Sequence, residues 1–218
     1  MRQKLLIHFL ERSDPRWNDA QRRMIRDVLQ KTWRQAAAVL PLPSVMNVTV
    51  FASDLYCVPE TGEGGYTVTK DWIQLYLDPA EAKRWPGIIR RILPSTFFHE
   101  LHHASRHFQT GPRTTLADDV LTEGLATVFA SERFPSFVPP WGQATEAQAA
   151  RWLNWMKPDW NKRHYSRHAY FFSSGPNRWA GYRLGTRLVE RAKERTGATA
   201  AEMVAWNARR ILRAADAR

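Results

Sequence analysis

Hydrophobic periodicity changes at Pro79, and this change constrains the fold more than any other feature of the chain. Before it, three segments have the short apolar or alternating pattern of strands, and an amphipathic helical segment follows the first of them. After it, apolar residues recur at helical spacing in six segments separated by Pro, Gly and Ser. The predicted strands span 4–10, 44–53 and 71–78, and the predicted helices span 15–40, 80–93, 95–108, 115–132, 144–156, 180–196 and 199–215. The pattern predicts an α+β fold, with a small N-terminal β-sheet and a mainly helical body.

Two local features refine the N-terminal part of this prediction. Asp14 and Pro15 are residue types favoured at the N-cap and the first position of a helix, so we expect the first helix to begin there. The glycine-rich segment 60–70, "ETGEGGYTVTK", lies between the second and third predicted strands. Its glycines predict a loop.

Nothing in the chain marks a boundary between domains. It has no repeat, no low-complexity tract and no long linker, and 218 residues are ample for one hydrophobic core. We therefore expect a single domain over residues 1–218.

Cysteine usage and the N-terminus indicate a compartment. The single cysteine, Cys57, excludes a disulfide framework and a cysteine-rich zinc module. The apolar stretch at 5–10 is too short for a secretory signal, and no window reaches the roughly 18 apolar residues that a membrane span needs. We expect a cytoplasmic protein without a transmembrane segment.

The chain is strongly basic, with a net charge of +11 carried mostly by arginine. Its basic residues are dispersed in pairs such as Arg22/Arg23 and Arg209/Arg210, with no run of five or more. This distribution favours a generally basic, solvated surface over a nucleic-acid interface. A protein that binds a partner through that surface stays open as an alternative.

The segment "HELHH" is the strongest chemical signal. On a helix, His99 and His103 are one turn apart on the same face, close enough to bind one cation, and Glu100 completes an H-E-x-x-H pattern. This pattern is typical of helix-borne zinc sites in metalloproteases. The alternative is a pair of helical histidines beside carboxylates, with no metal. On the other side of the helix, an apolar stripe predicts burial of Phe97, Leu101, Ala104 and Phe108.

A catalytic zinc site needs a third protein ligand. His107 lies two helical turns from His99, roughly 12 Å along the axis, which is too far for one ion. His102 points about 100° away from His103, so we expect it to pack or to support a ligand. A loop-borne third histidine is also excluded, because residues 106 and 109 are Arg and Gln rather than Gly and His.

The next predicted helix offers Glu123, which lies within an apolar stripe. A carboxylate there is costly to bury unless it is paired or binds a metal. An antiparallel return of this helix, with Gly124 allowing close approach, would bring Glu123 to the histidine pair, so we assign His99, His103 and Glu123 as zinc ligands. Asp119, one turn earlier, would either orient a ligand imidazole or interact with the helix dipole.

Glu100 and His103 also form an E-x-x-H pair of the kind that binds di-iron in four-helix bundles. Such a site needs a second pair, and the chain has none. The zinc interpretation is therefore favoured.

Four stretches of the chain together resemble a known family. "GGYTVTKDWIQLYLDP", "FFHELHHASR", "LTEGLATVFA" and "FSSGPNRWAGYRLGTRLVERAKERTG" are similar to the bacterial family of predicted zinc-dependent proteases related to the gluzincins, over about residues 45–215. The resemblance implies a zincin-like fold, His99, His103 and Glu123 as zinc ligands and Glu100 as the base. It also implies that segment 71–78 is the strand along which an extended peptide substrate binds, at the sheet edge.

The function expected from these residues is zinc-dependent hydrolysis of peptide bonds in a peptide or protein substrate, with Glu100 as general base. Tyr182 is the candidate oxyanion donor, because Gly181 and Gly185 would let its helix pack closely while the phenol points away. Weaker candidates for that role, or for a surface patch, are His164, Tyr165, His168 and Tyr170. The alternative is a non-catalytic protein with structural zinc or none, which would have no need of Glu100 beside the metal.

Overall fold

The computed structural model describes residues 3–11, 17–111 and 114–217. The chain divides into two compact units. Unit 1 comprises Met1–Gln109 and Ala130–Phe137, and unit 2 comprises Thr110–Phe129 and Val138–Arg218. The expectation of a single domain stays a prediction.

Unit 1 contains a four-stranded sheet in the order β1-β2-β4-β3. β1 is parallel to β2 and β2 is parallel to β4, whereas β3 is antiparallel to β4. The strands span Lys4–Glu11 (β1), Val45–Ala52 (β2), Glu63–Thr69 (β3) and Trp72–Leu77 (β4). The three predicted strands are confirmed.

The prediction of a loop at 60–70 is wrong, because most of that segment is β3. Its glycines are followed by Tyr66, Thr67 and Val68, residue types that favour strands, and Tyr66 pairs with Gln74 of β4. The position expected for segment 71–78 is also wrong. β4 is an interior strand with a neighbour on each side, whereas β3 and β1 occupy the two edges of the sheet.

The helices of unit 1 are α1 (Asp19–Ala37), α2 (Trp85–Arg91) and α3 (Leu93–Thr110), and a 3₁₀-helical turn at Pro79–Arg84 precedes α2. α1 begins later than expected. Its N-cap is Asn18, whose side chain accepts from the backbone N–H of Gln21 while the Gln21 side chain reaches back to the cap. Asp14 and Pro15 lie outside the described residues.

α3 is buried over most of its length, from Leu93 to Arg106. The predicted burial of Phe97, Leu101 and Ala104 is confirmed, but Phe108 is 45% exposed. It lies in the last turn of α3, beyond the buried part, where the Lys70 ammonium is 5.5 Å from the centre of its ring. The core of unit 1 therefore covers the part of α3 that carries the histidines.

Unit 2 is helical and contains α5 (Glu146–Met156), α6 (Ala180–Thr196), α7 (Ala208–Ala214) and most of α4 (Leu116–Arg133). A π-helical turn spans His168–Phe172. The predicted helix 199–215 is interrupted: a 3₁₀ turn at Glu202–Ala205 ends before Asn207, which caps α7. In the described part of the chain, no helix has the length and apolar character needed to cross a bilayer.

Two glycines bring α4 and α6 into backbone contact. A Cβ added at Gly124 would lie 2.1 Å from the carbonyl carbon of Gly185, and one added at Gly185 would lie 2.0 Å from the Val120 oxygen. The close approach expected at Gly124 thus occurs with α6. The expected seam at Gly185 is confirmed, whereas Gly181 contacts the Phe171 ring.

Candidate metal centre

His99 and His103 face each other on α3. Their Nε2 atoms are 2.9 Å apart, and the rings are nearly perpendicular. Two nitrogens bound to one tetrahedral zinc at 2.0–2.1 Å would be separated by about 3.3 Å, so the pair is close to the spacing that this ion requires. With Glu100, the two histidines form a group whose potential ligand atoms all lie within 4.8 Å of one another. These residues fit a zinc ion.

The packing of α3 in unit 1 holds His99, Glu100 and His103 in place. His103 and Glu100 are buried, and Phe97, Phe98 and Leu101 on the same helix are buried in the core of unit 1. Tight packing of these large side chains fixes the rotation of α3, and the spacing of four residues then puts both imidazoles on one side. The sequence motif produces the cluster directly.

Strand β3 supports Glu100 from the sheet. The Thr67 hydroxyl lies 2.7 Å from Glu100 Oε2 and 2.9 Å from the Glu100 carbonyl oxygen. Next to it, Gly65 leaves room for the glutamate, since a Cβ there would be 2.6 Å from Glu100 Cγ. Neither residue was predicted to lie at the site, because the glycine-rich segment that contains both was predicted to be a loop.

A second carboxylate, Glu63, is buried on the same side of β3 as Gly65 and Thr67. Among the described residues, neither of its carboxylate oxygens makes a hydrogen bond of good geometry, and the Thr96 and Thr61 hydroxyls approach it as weak donors only. Burial raises the pKa of Glu63 to about 7 and the charge of Glu100 adds to this, while the nearby hydroxyls of Thr96 and Thr61 and the charge of His99 act in the opposite direction. In the folded protein, the Glu63 carboxyl group is therefore largely protonated and neutral at weakly acidic pH.

Glu123 lies in unit 2, on α4, one turn after Asp119, and both side chains are buried. Arg167 binds both of them: its Nη2 donates to Glu123 Oε1 at 2.6 Å and its Nε donates to Asp119 Oδ2 at 2.9 Å. The Tyr165 hydroxyl donates to the same Asp119 oxygen at 2.8 Å. The assignment of Glu123 as a metal ligand stays a prediction.

Arg167, the partner of both acids, was not predicted from the sequence. Burial acts against its charge, but the charges of Glu123 and Asp119 and the hydrogen bond to Asp119 outweigh burial and raise the pKa of the guanidinium above its ordinary value. A pair of buried acids one turn apart requires a cation. The sequence, with 25 arginines, does not indicate which one provides it.

Tyr182 lies in the first turn of α6 among aromatic side chains. Its ring centre is 5.5 Å from that of Phe171, 5.6 Å from that of Trp179 and 6.0 Å from that of Phe172. Trp179, just before the helix, has a left-handed backbone with φ of 61°, a conformation that is costly for a bulky residue. The role of Tyr182 as oxyanion donor stays a prediction.

The four weaker candidates lie in or beside the π-helical segment of unit 2. His164 and His168 are exposed. Tyr165 donates to Asp119, and the Tyr170 hydroxyl donates to Asp159 Oδ2 at 2.5 Å. Burial and Asp159 raise the pKa of Tyr170 to about 12. The hydroxyls of Tyr165 and Tyr170 therefore hydrogen-bond to carboxylates of unit 2.

The fold is α+β, and the cluster on α3 has the residue types and spacing of a helix-borne metal site. A family model described as "Predicted Zn-dependent protease (DUF2268)" matches residues 25–213, and the chain belongs to this family. This confirms the resemblance to a family of predicted zinc-dependent proteases, whereas the relation to the gluzincins stays a prediction. No curated protein and no solved structure matches the chain significantly.

Proposed function

We propose that this protein is a zincin-like, zinc-dependent peptidase that hydrolyses peptide bonds with Glu100 as general base. The observation that carries the proposal is the pair of Nε2 atoms of His99 and His103, 2.9 Å apart beside the buried Glu100. The description of the family as a predicted zinc-dependent protease supports it.

Under this proposal the zinc ligands are His99, His103 and Glu123. Two imidazoles and one carboxylate form the gluzincin-type ligand set, which leaves a fourth position open to water or substrate. Glu123 is the third ligand of choice because it is an acid buried within an apolar helix stripe. Zinc bound there would lower the pKa of a coordinated water and polarise the substrate carbonyl.

Glu100 then acts first as general base and afterwards as general acid. It accepts one proton from the attacking water and donates it to the nitrogen of the leaving amine as the peptide bond breaks. The Thr67 hydroxyl, 2.7 Å from Oε2, fixes the orientation of the carboxylate throughout both transfers. Tyr182 would donate a hydrogen bond to the oxyanion that develops on the carbonyl oxygen.

The substrate is proposed to bind as an extended peptide along β3. β3 is the edge strand next to α3, and its Gly65 and Thr67 lie against Glu100, so a paired peptide would pass beside the base. At the start of β3, Val58 already occupies this edge, since its N–H donates to the carbonyl oxygen of Glu63 at 2.8 Å. The stretch offered to a peptide therefore begins after Glu63.

The test is zinc content by plasma mass spectrometry, followed by a peptide-library cleavage screen, on protein purified without chelators. We expect about one zinc per chain in the wild type and in Glu100→Gln, and loss of zinc in His103→Ala and Glu123→Ala. The matched control is His164→Ala, which removes an exposed histidine and should retain zinc. Only the wild type and this control should cleave peptides.

Zinc-free wild type would contradict the proposal and favour a protein that binds partners through its basic surface. Retention of zinc by Glu123→Ala would contradict the third ligand alone. Cleavage by Glu100→Gln at the wild-type rate would contradict the role of the base.

A further inference from the structure

We propose that Arg167 is a positioning residue for Glu123, fixing the orientation in which this carboxylate meets the metal. The inference rests on the proposed function, because Glu123 is a ligand only under that proposal. Arg167 itself would touch neither the metal nor the substrate.

The contact between Arg167 and Glu123 is short and directional. Nη2 donates to Oε1 at 2.6 Å, and the carboxylate is only 2% exposed. Hydrogen bonds between an ionised donor and an ionised acceptor are about twice as strong as neutral ones, and burial of the acid reduces screening by water. This contact restricts the rotation of the Glu123 carboxylate.

The guanidinium is divided between two acids. Because Nε donates to Asp119 while Nη2 donates to Glu123, Arg167 engages Glu123 through Oε1 and does not use its fork to clamp both oxygens of that group. Arg167 also places a positive charge between two acids that are one turn apart.

Arg167 is held firmly enough to position another residue. Asp119, which receives the second hydrogen bond, is in turn fixed by the Tyr165 hydroxyl at 2.8 Å. The guanidinium carbon lies 5.0 Å from the ring centre of Phe171 and 5.5 Å from that of Phe172, within the range of cation–π attraction. The π-helical turn that carries both rings directly follows Arg167.

A purely structural ion pair would use the same contacts, so the test must separate metal affinity from stability. Partners that hydrogen-bond to metal ligands typically change metal affinity by about 10- to 100-fold. An ion pair that only stabilises the helices of unit 2 would change the melting temperature of metal-stripped protein and leave the zinc Kd unaltered.

The experiment compares the full-length variants Arg167→Gln, Arg167→Lys and Glu123→Gln with the wild type. The control is Arg178→Gln, which removes another arginine of unit 2 that lies over an aromatic ring, 5.1 Å from the centre of Trp179. Zinc Kd is measured by competition with a chromophoric chelator, and the melting temperature is measured on the metal-stripped protein. We expect Kd to rise about 10- to 100-fold in Arg167→Gln and about 3- to 10-fold in Arg167→Lys, which keeps the charge but loses the divided fork.

Arg178→Gln should bind zinc like the wild type. If Arg167→Gln or Arg167→Lys binds zinc as tightly as the wild type while Glu123→Gln does not, Arg167 is not a positioning residue and the ligand assignment stands. If Glu123→Gln itself binds zinc like the wild type, the ligand assignment fails and this inference fails with it. Should Arg167→Gln not fold, the Kd of Arg167→Lys decides.

Discussion

The Thr67 hydroxyl and the Glu100 carboxylate, 2.7 Å apart, connect the edge strand of the sheet to the helix that carries the histidines. Glu100 is the proposed base, and it is buried. Its position is thus set from two elements, α3 through the backbone and β3 through Thr67.

Thr67→Val removes the hydroxyl while it keeps the shape of the side chain. We expect a fall in kcat of about 10-fold and a loss of about 1–3 kcal/mol in the free energy of unfolding, because a buried carboxylate loses a hydrogen bond. Zinc content should not change. Thr67→Ser, which keeps the hydroxyl, should retain most of the activity. Equal kcat in Thr67→Val and the wild type would show that Glu100 does not depend on this donor.

Gly65→Ala places a methyl group where the structure has no room for it. The new Cβ would lie 2.6 Å from Glu100 Cγ and 2.9 Å from Thr96 Cγ2, so the strand or the glutamate must shift. We expect destabilisation of about 1–3 kcal/mol in urea unfolding and a marked loss of peptide cleavage.

The control for this variant is Gly87→Ala in α2, where an added Cβ meets nothing within 4 Å. Alanine is favoured over glycine in a helix, so this change should stabilise the protein by about 0.5–1 kcal/mol. If both alanine variants behaved alike, close packing of Gly65 against Glu100 would be disproved.

Glu63→Gln should remove a pH dependence of stability. The pKa of Glu63 is about 7 in the folded protein against an ordinary value of 4.5, so the folded state binds the proton more tightly. Its contribution favours folding most at low pH, declines as pH rises from about 4.5 towards about 7, and is constant above that. The change corresponds to about 3 kcal/mol at most between pH 4 and pH 8.

Urea unfolding of the metal-stripped wild type and of Glu63→Gln, at pH 5 and at pH 8, checks this. Relative to the wild type, Glu63→Gln should have a higher free energy of unfolding at pH 8 than at pH 5, because glutamine buries no charge. A difference that is the same at both pH values would mean that Glu63 does not carry the raised pKa.

Apart from β3, the order of strands and helices could be predicted from periodicity, and so could the histidine cluster. His99, Glu100 and His103 lie within five consecutive residues of one helix, so the geometry of the α-helix alone brings them together. The position of Glu123 within a buried apolar stripe of α4 also followed from the spacing. Local spacing was sufficient in these cases.

The missed features depend on pairing between distant segments. The segment with Gly64 and Gly65 becomes a strand because β4 offers it an antiparallel partner, as between Tyr66 and Gln74, and its glycines admit Tyr56 on one side and Glu100 on the other. Strand propensity depends on such neighbours more than on the residues themselves. In the same way, Arg167 is recognisable only once it lies between two acids that are more than forty residues away in sequence.

Removal of zinc should lower the melting temperature of the wild type. A ligand that binds only the folded state stabilises it by about 4 kcal/mol when its concentration is 1,000 times Kd, which for a chain of this size corresponds to roughly 10 °C. We expect a drop of this order when a chelator is added to the zinc-loaded protein, measured by differential scanning fluorimetry.

Comparison of variants shows whether the stabilising metal is bound by the histidines of α3. Glu100→Gln should respond to the chelator like the wild type, because the base is not a ligand, and so should His164→Ala. His103→Ala should melt at one temperature with and without chelator, because one imidazole cannot hold the ion at the two-nitrogen site that the 2.9 Å Nε2 pair defines. A chelator response in His103→Ala equal to that of the wild type would place the stabilising metal away from α3, and the cluster would then be a histidine pair without a metal.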